Sequence, residues 1–342
     1  MNVIAVDIGH SGVKVSTEAD GKVVKLAIPS FVCPAFPLSD EGEQRRAGKE
    51  TVIFQDRPYF FGETARIQGQ MKSPVGTYDD WIETPAHAVL LLGAIKKAAA
   101  AGADVTHPIL VLGLPTHLFS QQKQPLKEVV ARLMQTAHTM VMPQPVGPYQ
   151  AMMLDEYGFS VPSRNASSQS WGVIDVGYYT TDFLVVHKGR MVEDAMGSCG
   201  GMRKAAEHFV KSLSLRGISS DIPEAEEALV SRTVRDFGQA IDVGAEVDQA
   251  LAKNVAEVMD TMARLMSRVA RQMDGLVVAG GGAGLLYPFI QKVHPQAVLA
   301  TDSRFAVAEG MRRFGCAYRR IQASVPVQQA GACAPSPNRS SP

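Results

Sequence analysis

The sequence predicts an α/β fold in two domains. Short β-rich runs at residues 3–7, 109–114, 171–175, 183–187 and 276–279 each lead into a glycine-bearing turn or a helical pattern, and they alternate with longer helical stretches. At about 150 residues per domain, a chain of 342 residues has room for two. Pro143, Pro145 and Pro148 crowd a composition shift at 142–147, which marks the expected crossover between the halves.

The first run begins almost at the amino terminus, with no basic stretch leading into an apolar one, so secretion is not expected. Helical patterns follow at 84–101, apolar on most sides and so expected to be buried, and at 124–135. The stretch 219–237 carries Glu224, Glu226 and Glu227, an acidic run of the kind that sits solvated at a helix start. The longest helix is expected within 243–274. There Val247, Leu251, Val255, Val258, Met262, Met266, Val269 and Met273 recur at steps of three or four, forming one core-facing stripe, and Gly275 is placed to cap it. The methionines of that stripe read as core filling. Residues 325–342 hold four prolines among Ser, Asn and Gln without periodicity, and read as a disordered tail.

Composition excludes several classes. A hydrophobic content of 46% is ample for a core, and 34 Lys and Arg cancel 34 Asp and Glu to a formal net charge of +0. No overall positive field draws in nucleic acid or an anionic membrane, so neither is an expected direct partner. Cys33, Cys199, Cys316 and Cys333 lack CxxC or HExxH spacing, which argues against zinc and against a disulfide scaffold and fits a reducing cytoplasm. No stretch reaches the roughly 18 consecutive apolar residues of a membrane span; the apolar segment 86–103 is broken by His87, Lys96 and Lys97.

Two tempting motifs fail. Gly42 to Gly48-Lys49 has five residues between its glycines and Glu50 where a Walker A motif needs Ser or Thr, so it reads as a plain loop. Gly9-His10-Ser11-Gly12 lacks nucleophile-elbow spacing, so serine hydrolysis has no support. A repeated device remains: a strand ending in Asp, then a turn of glycines and hydroxyls. Asp7-Ile8-Gly9-His10-Ser11-Gly12-Val13-Lys14 is one copy and Asp175-Val176-Gly177-Tyr178-Tyr179-Thr180-Thr181-Asp182 the other. Each reads as a β-hairpin whose glycine lets the backbone approach phosphate oxygens, while the Asp holds hydrated magnesium; two such turns can clamp a triphosphate from both sides. In a third element a buried strand runs into Gly280-Gly281-Gly282, where a helix entrance or a ligand against the backbone accounts for three glycines.

These elements, in this order, resemble the phosphate-one, phosphate-two and adenosine motifs of the actin-like ATPase superfamily. Residues 142–151 resemble its first connecting helix with the lead-in, and residues 302–311 its second. The nearest likeness is to the ParM/StbA-type plasmid-segregation actins of bacteria and their archaeal relatives, carried by Leu112-Gly113-Leu114-Pro115-Thr116, Val141-Met142-Pro143, Gly197-Ser198-Cys199-Gly200-Gly201 and Met273-Asp274-Gly275. Where many relatives have Ser or Thr this chain has His10, and Tyr178 and Tyr179 stand where small residues are frequent.

The resemblance implies an actin-like, ribonuclease-H-like duplicated ATPase fold: domain I at 1–145, domain II at 146–304, a helix at 305–322 returning to domain I, and a tail at 323–342. It implies ATP and Mg²⁺ in the cleft, with Asp7 and Asp175 orienting metal-bound waters, Lys14 neutralising phosphate charge and Gln144 orienting the attacking water. Gly9, His10, Ser11 and Gly12, then Gly177, Tyr178, Tyr179, Thr180 and Thr181, would hold phosphate. Gly200 and Gly201, Gly280, Gly281 and Gly282, and Glu309 with Gly310 complete the expected nucleotide contacts. The function so implied is a cytoplasmic filament that assembles with itself, hydrolyses ATP to turn over, and moves plasmid DNA through a DNA-binding adaptor. A metabolite kinase of the same superfold and a nucleotide-bound scaffold stay open as alternatives, since fold alone does not set function.

Overall fold

Hairpins of adjacent short strands, followed by helical crossovers, build each half of the chain. A computed structural model describes residues 1–69 and 81–324; Cys333 and the expected tail at 325–342 lie outside the described residues. The first half runs β1 (Val3–Ile8), β2 (Gly12–Ala19), β3 (Lys22–Pro29), β4 (Val32–Pro34), α1 (Glu41–Lys49), β5 (Thr51–Phe54), β6 (Arg57–Phe61), α2 (Gly62–Gln68), α3 (Pro85–Ala100), β7 (Ile109–Leu114), α4 (Phe119–Leu133), β8 (His138–Pro143) and α5 (Val146–Met153). The second runs β9 (Ser170–Val176), β10 (Thr180–His187), β11 (Arg190–Met191), β12 (Gly197–Gly200), α6 (Met202–Leu215), α7 (Ile222–Ser231), β13 (Thr233–Asp236), β14 (Gln239–Asp242), α8 (Gly244–Met266), β15 (Gly275–Ala279), α9 (Ala283–Val293), β16 (Ala297–Leu299) and α10 (Ala306–Ser324).

Both halves repeat one sheet topology. The first sheet has the order β3-β2-β1-β7-β8 and the second β11-β10-β9-β15-β16, with β12 also on β10. In each, an antiparallel hairpin gives way to parallel strands reached through helices. Helices α5 and α10 lie between the two sheets, where Val146, Tyr149, Met153, Val307 and Met311 share a core with Val3 and Ala5 of β1 and Trp171 and Val173 of β9. Separate cores fill the outer faces, one under α3 and α4, the other under α6, α8 and α9. Among the described residues no helix is long and apolar enough to cross a membrane.

Several boundaries differ from expectation for identifiable reasons. The glycine segment at 42–48 is helical rather than a loop, because Asp40 caps α1 by accepting from the Glu43 amide. Helix α8 stops at Met266, well before Asp274, and Gly275 opens β15 instead of capping a helix. A Cβ at Gly275 would lie 2.1 Å from the Trp171 ring across the strand pair, so its glycine serves close packing. The acidic stretch is helical for Ile222–Ser231 alone, started by a capping box between Asp221 and Glu224, and ends in the β13–β14 hairpin. Pro85 begins α3 behind the Thr84 cap, and nine of its residues are buried.

The crossing of α5 and α10 has no room for side chains. A Cβ on Gly310 would sit 1.7 Å from the Gly147 carbonyl oxygen, and one on Gly147 2.5 Å from that of Val307. Beside it Glu309 accepts from Arg312 at 2.8 and 3.0 Å, from Arg313 at 2.7 Å and from the Ser16 hydroxyl at 2.7 Å. Arg312 reaches the Glu156 carbonyl, and Arg313 those of Ala151 and Leu154, so α10 also covers the open carbonyls at the end of α5. Burial pushes the Glu309 carboxyl up, but the arginines and Ser16 overcome it and hold it at about 2. Because that value is lowered on folding, the pair stabilises fully above the ordinary carboxyl range and is lost as pH falls from about 4.5 toward 2. Glu309→Ala leaves the buried Arg312 without its carboxylate and should cost about 3 kcal/mol in urea unfolding at pH 7; Glu309→Gln should flatten the loss of stability below pH 4.5, and an unchanged acid limb would show that the pair is not the group titrating there.

Candidate nucleotide-binding site

Strands β1, β7, β8, β9 and β15 all end at one cleft between the two sheets, the place where open parallel sheets present ligand sites. Asp7 and the Gly9-His10-Ser11 turn come from the β1–β2 hairpin, Lys14 from β2, and Gln144 from the end of β8. From the other half come Asp175, the Gly177-Tyr178-Tyr179-Thr180 turn, and Gly280 with Gly281. Hairpin register sets Lys14 opposite Asp7 and Asp182 opposite Asp175. The Gln144 amide donates to Asp7 at 2.8 Å while its backbone N–H bonds Leu114, and Gly113 leaves the space that the Gln144 side chain occupies.

Three carboxyl groups crowd the cleft beside Lys14 and Arg304. Asp7, Asp175 and Asp182 are all buried. Burial, then the charges of Asp7 and Asp182, push Asp175 up to about 8 against the opposing pull of Lys14. Burial also raises Asp182, which accepts from the Thr180 hydroxyl at 2.7 Å and the Thr116 amide at 3.0 Å. Crowded carboxylates of this kind fit a hard cation such as Mg²⁺. Among the described residues no group of three or more His, Cys, Asp or Glu is placed to hold an ion; an ion here would need ligands beyond the protein, and Asp7 and Asp175 would hold it through its waters.

Both turns are fixed from behind. In the second, the carbonyls of Gly177, Tyr178 and Tyr179 accept from the amides of Met202, Arg203 and Gly201, the first groups of α6. A Cβ on Gly201 would lie 2.5 Å from the Tyr178 oxygen, and the Gly200 amide bonds Glu257 at 3.0 Å. By these contacts Gly200 and Gly201 hold the turn, and neither is among the residues that line the cleft. Thr181 is likewise behind it, its hydroxyl bonded to the Gly200 carbonyl, and Gly12 is buried within β2 opposite Pro29. Glu309 and Gly310 also lie off the cleft wall, committed to the α5–α10 crossing described above.

A second pocket adjoins the cleft and shares Ser11, Lys14, Gly177, Tyr178, Gly281 and Arg304 with it; Met202, Glu226, Leu229, Val230, Gly282 and Leu285 complete its walls. The three glycines differ. Gly280 has φ +93°, and a Cβ there would meet the Val176 oxygen at 2.3 Å; a Cβ on Gly282 would strike Met202 at 2.4 Å; one on Gly281 would meet nothing within 4 Å. Gly281 thus faces the open space common to both pockets.

Trp81 and His87, which carry no expected role, also line the site. His10 stacks on Trp81 with ring centroids 5.3 Å apart and meets the edge of Tyr179 at 4.6 Å, so an aromatic belt joins the two turns. Arg203 donates to the Tyr179 hydroxyl at 2.9 Å. Burial, and next the charge on His10, lower His87 to about 3, so it is neutral. Hairpin counting alone pairs Asp182 with Asp175; Trp81, His87 and Glu226 arrive through packing of distant helices and leave no local signal.

Residues 5–147 match the family model for the N-terminal domain of actin-like proteins, and residues 173–292 that for the C-terminal part of the archaeal actin homologue MreB-like family. The chain belongs to the actin-like family. Among solved structures this actin-like chain is similar to a 15-stranded ParM filament from Clostridium botulinum, at 20% identity over 92% of this chain and 98% of that one with a TM-score of 0.73. It is similar to the archaeal actin homologue Ta0583 in complex with ADP, at 20% identity, 94% and 100% coverage and TM-score 0.67, and to Bacillus thuringiensis ParM with AMPPNP, at 15% identity, 94% and 99% coverage and TM-score 0.64. At these identities the likeness is one of fold. No curated protein sequence matches the chain.

The glycine geometry separates folding from binding. Gly281→Val should leave the melting temperature of the nucleotide-free protein nearly unchanged and weaken nucleotide binding by about one to three kcal/mol through lost space, whereas Gly280→Ala should lower the melting temperature itself. Calorimetry giving wild-type affinity for Gly281→Val would remove the three-glycine turn from the binding site.

Proposed function

We propose that this chain is a cytoplasmic, filament-forming actin-like ATPase of plasmid segregation, which binds ATP with Mg²⁺ in the cleft, assembles, and turns over by hydrolysis. The observation that carries the reading is the meeting of two Asp-bearing hairpin turns across one buried cleft, with Gln144 held on Asp7 at 2.8 Å. In it, residues 1–145 and 146–304 are the lobes that face the nucleotide, and 305–322 returns to the first lobe. Gly9, His10 and Ser11 face Gly177, Tyr178, Tyr179 and Thr180 across the triphosphate, and Lys14 offsets its charge. Bound Mg²⁺ would supply charge neutralisation to the phosphates, with Asp7 and Asp175 orienting its waters. Gln144, fixed by Asp7, holds an amide where an attacking water is to be oriented, a task that needs placement more than basicity.

Solved relatives in fold support the nucleotide and the polymer: one is a ParM filament, one holds ADP and one AMPPNP. The net charge of +0 accords with DNA being met through an adaptor protein rather than directly.

Light scattering should rise with ATP and Mg²⁺ above a threshold protein concentration and fall as nucleotide is consumed. Gln144→Ala should bind and assemble while phosphate release drops by roughly one to three orders of magnitude, so that polymers persist. Normal turnover in Gln144→Ala would move the water-orienting role elsewhere. A protein that stays monomeric and phosphorylates a small molecule would replace this reading with a kinase.

A further inference from the structure

Among the described residues that line the cleft, His87 alone carries a buried polar side-chain atom with no hydrogen-bond partner, its Nδ1. The residue is 3% exposed, in the first turn of α3 behind the Thr84 cap, and its ring stands edge-on to Trp81 with centroids 4.8 Å apart. An orphaned nitrogen held in a fixed ring is a standing penalty that an isosteric apolar ring would avoid, unless a ligand completes it.

Position says which ligand group. His87, His10, Trp81, Gln144 and Asp182 line the inner cleft and take no part in the adjoining pocket beside Met202 and Gly282. With the base in that outer pocket, a nucleoside triphosphate reaching into the inner cleft would bring its last phosphate, not its base, to the wall that His87 shares with His10 and Trp81. We propose that His87 donates a hydrogen bond from Nδ1 to the terminal phosphate and so sets a preference for nucleoside triphosphate over diphosphate; this rests on the nucleotide reading above.

Calorimetric titration of the full chain with Mg²⁺·AMPPNP and with Mg²⁺·ADP tests it. His87→Phe should lose about tenfold or more in AMPPNP affinity, the loss of a hydrogen bond to a charged group, and keep ADP affinity within about twofold. His87→Asn, whose amide nitrogen reaches near the Nδ1 position, should retain most of the preference, and His87→Gln, whose amide reaches the Nε2 position instead, should not. The nucleotide-free melting temperature of His87→Phe should be no lower than wild type; if that variant fails to fold, the Asn and Gln pair decides alone. Equal weakening of both nucleotides, no weakening, or identical Asn and Gln behaviour overturns the assignment to His87. A wild-type chain that binds neither nucleotide overturns the nucleotide reading itself.

Discussion

Close approach of two helix backbones sets the arrangement on which the cleft depends. Where α5 and α10 cross, Gly147 and Gly310 leave carbonyl and Cα atoms in direct contact, and neither position tolerates a Cβ. Both sheets pack on this crossing from opposite sides, so their strand ends face one another instead of diverging. The buried Glu309–Arg312–Arg313 cluster ties the same crossing to β2 through Ser16. Such a cluster contributes little net stability compared with an apolar core, yet removing one member leaves an uncompensated charge, and that asymmetry makes the register of the two helices specific.

The cleft itself is left incomplete by folding. Asp7, Asp175 and Asp182 share the cleft with Lys14 and Arg304, and burial, then the charges of Asp7 and Asp182, push Asp175 up to about 8. His87 keeps a nitrogen without a partner in the same space. Two unfavourable terms, carboxyl groups crowded on one wall and an unmatched neutral imidazole nitrogen on another, are relieved together by a ligand that brings a cation and anionic oxygens. A metal nucleotide has that composition, which is why the strain argues for binding rather than for a flaw in packing.

Local features of the site are legible in the sequence, and its layers are not. An Asp at a strand end followed within two residues by Gly announces a hairpin with an exposed turn, and both turns, Gln144 and the Gly280–Gly282 entrance fall on the cleft or its edge. Gly200, Gly201, Glu309 and Gly310 are motif-adjacent, but whether such a residue touches ligand or supports the one that does depends on which face α6 or α10 presents, and that is decided by tertiary packing. Gly275 illustrates a different failure: glycine after an apolar stripe signals a helix cap and also a close approach, and Trp171, more than a hundred residues away, makes it the second. His87 comes to the cleft because α3 docks there, with Trp81 in the turn just before that helix, and no spacing near them encodes it.

The most direct measurement is a crystal structure of the full chain with Mg²⁺ and AMPPNP. The triphosphate is expected between the Gly9–His10–Ser11 and Gly177–Tyr178–Tyr179 turns, the base in the pocket beside Met202 and Gly282, and a hydrated ion facing Asp7 and Asp175. A nucleotide bound elsewhere, or a cleft that closes with Asp7 and Asp175 on protein groups and excludes the phosphates, would contradict this arrangement.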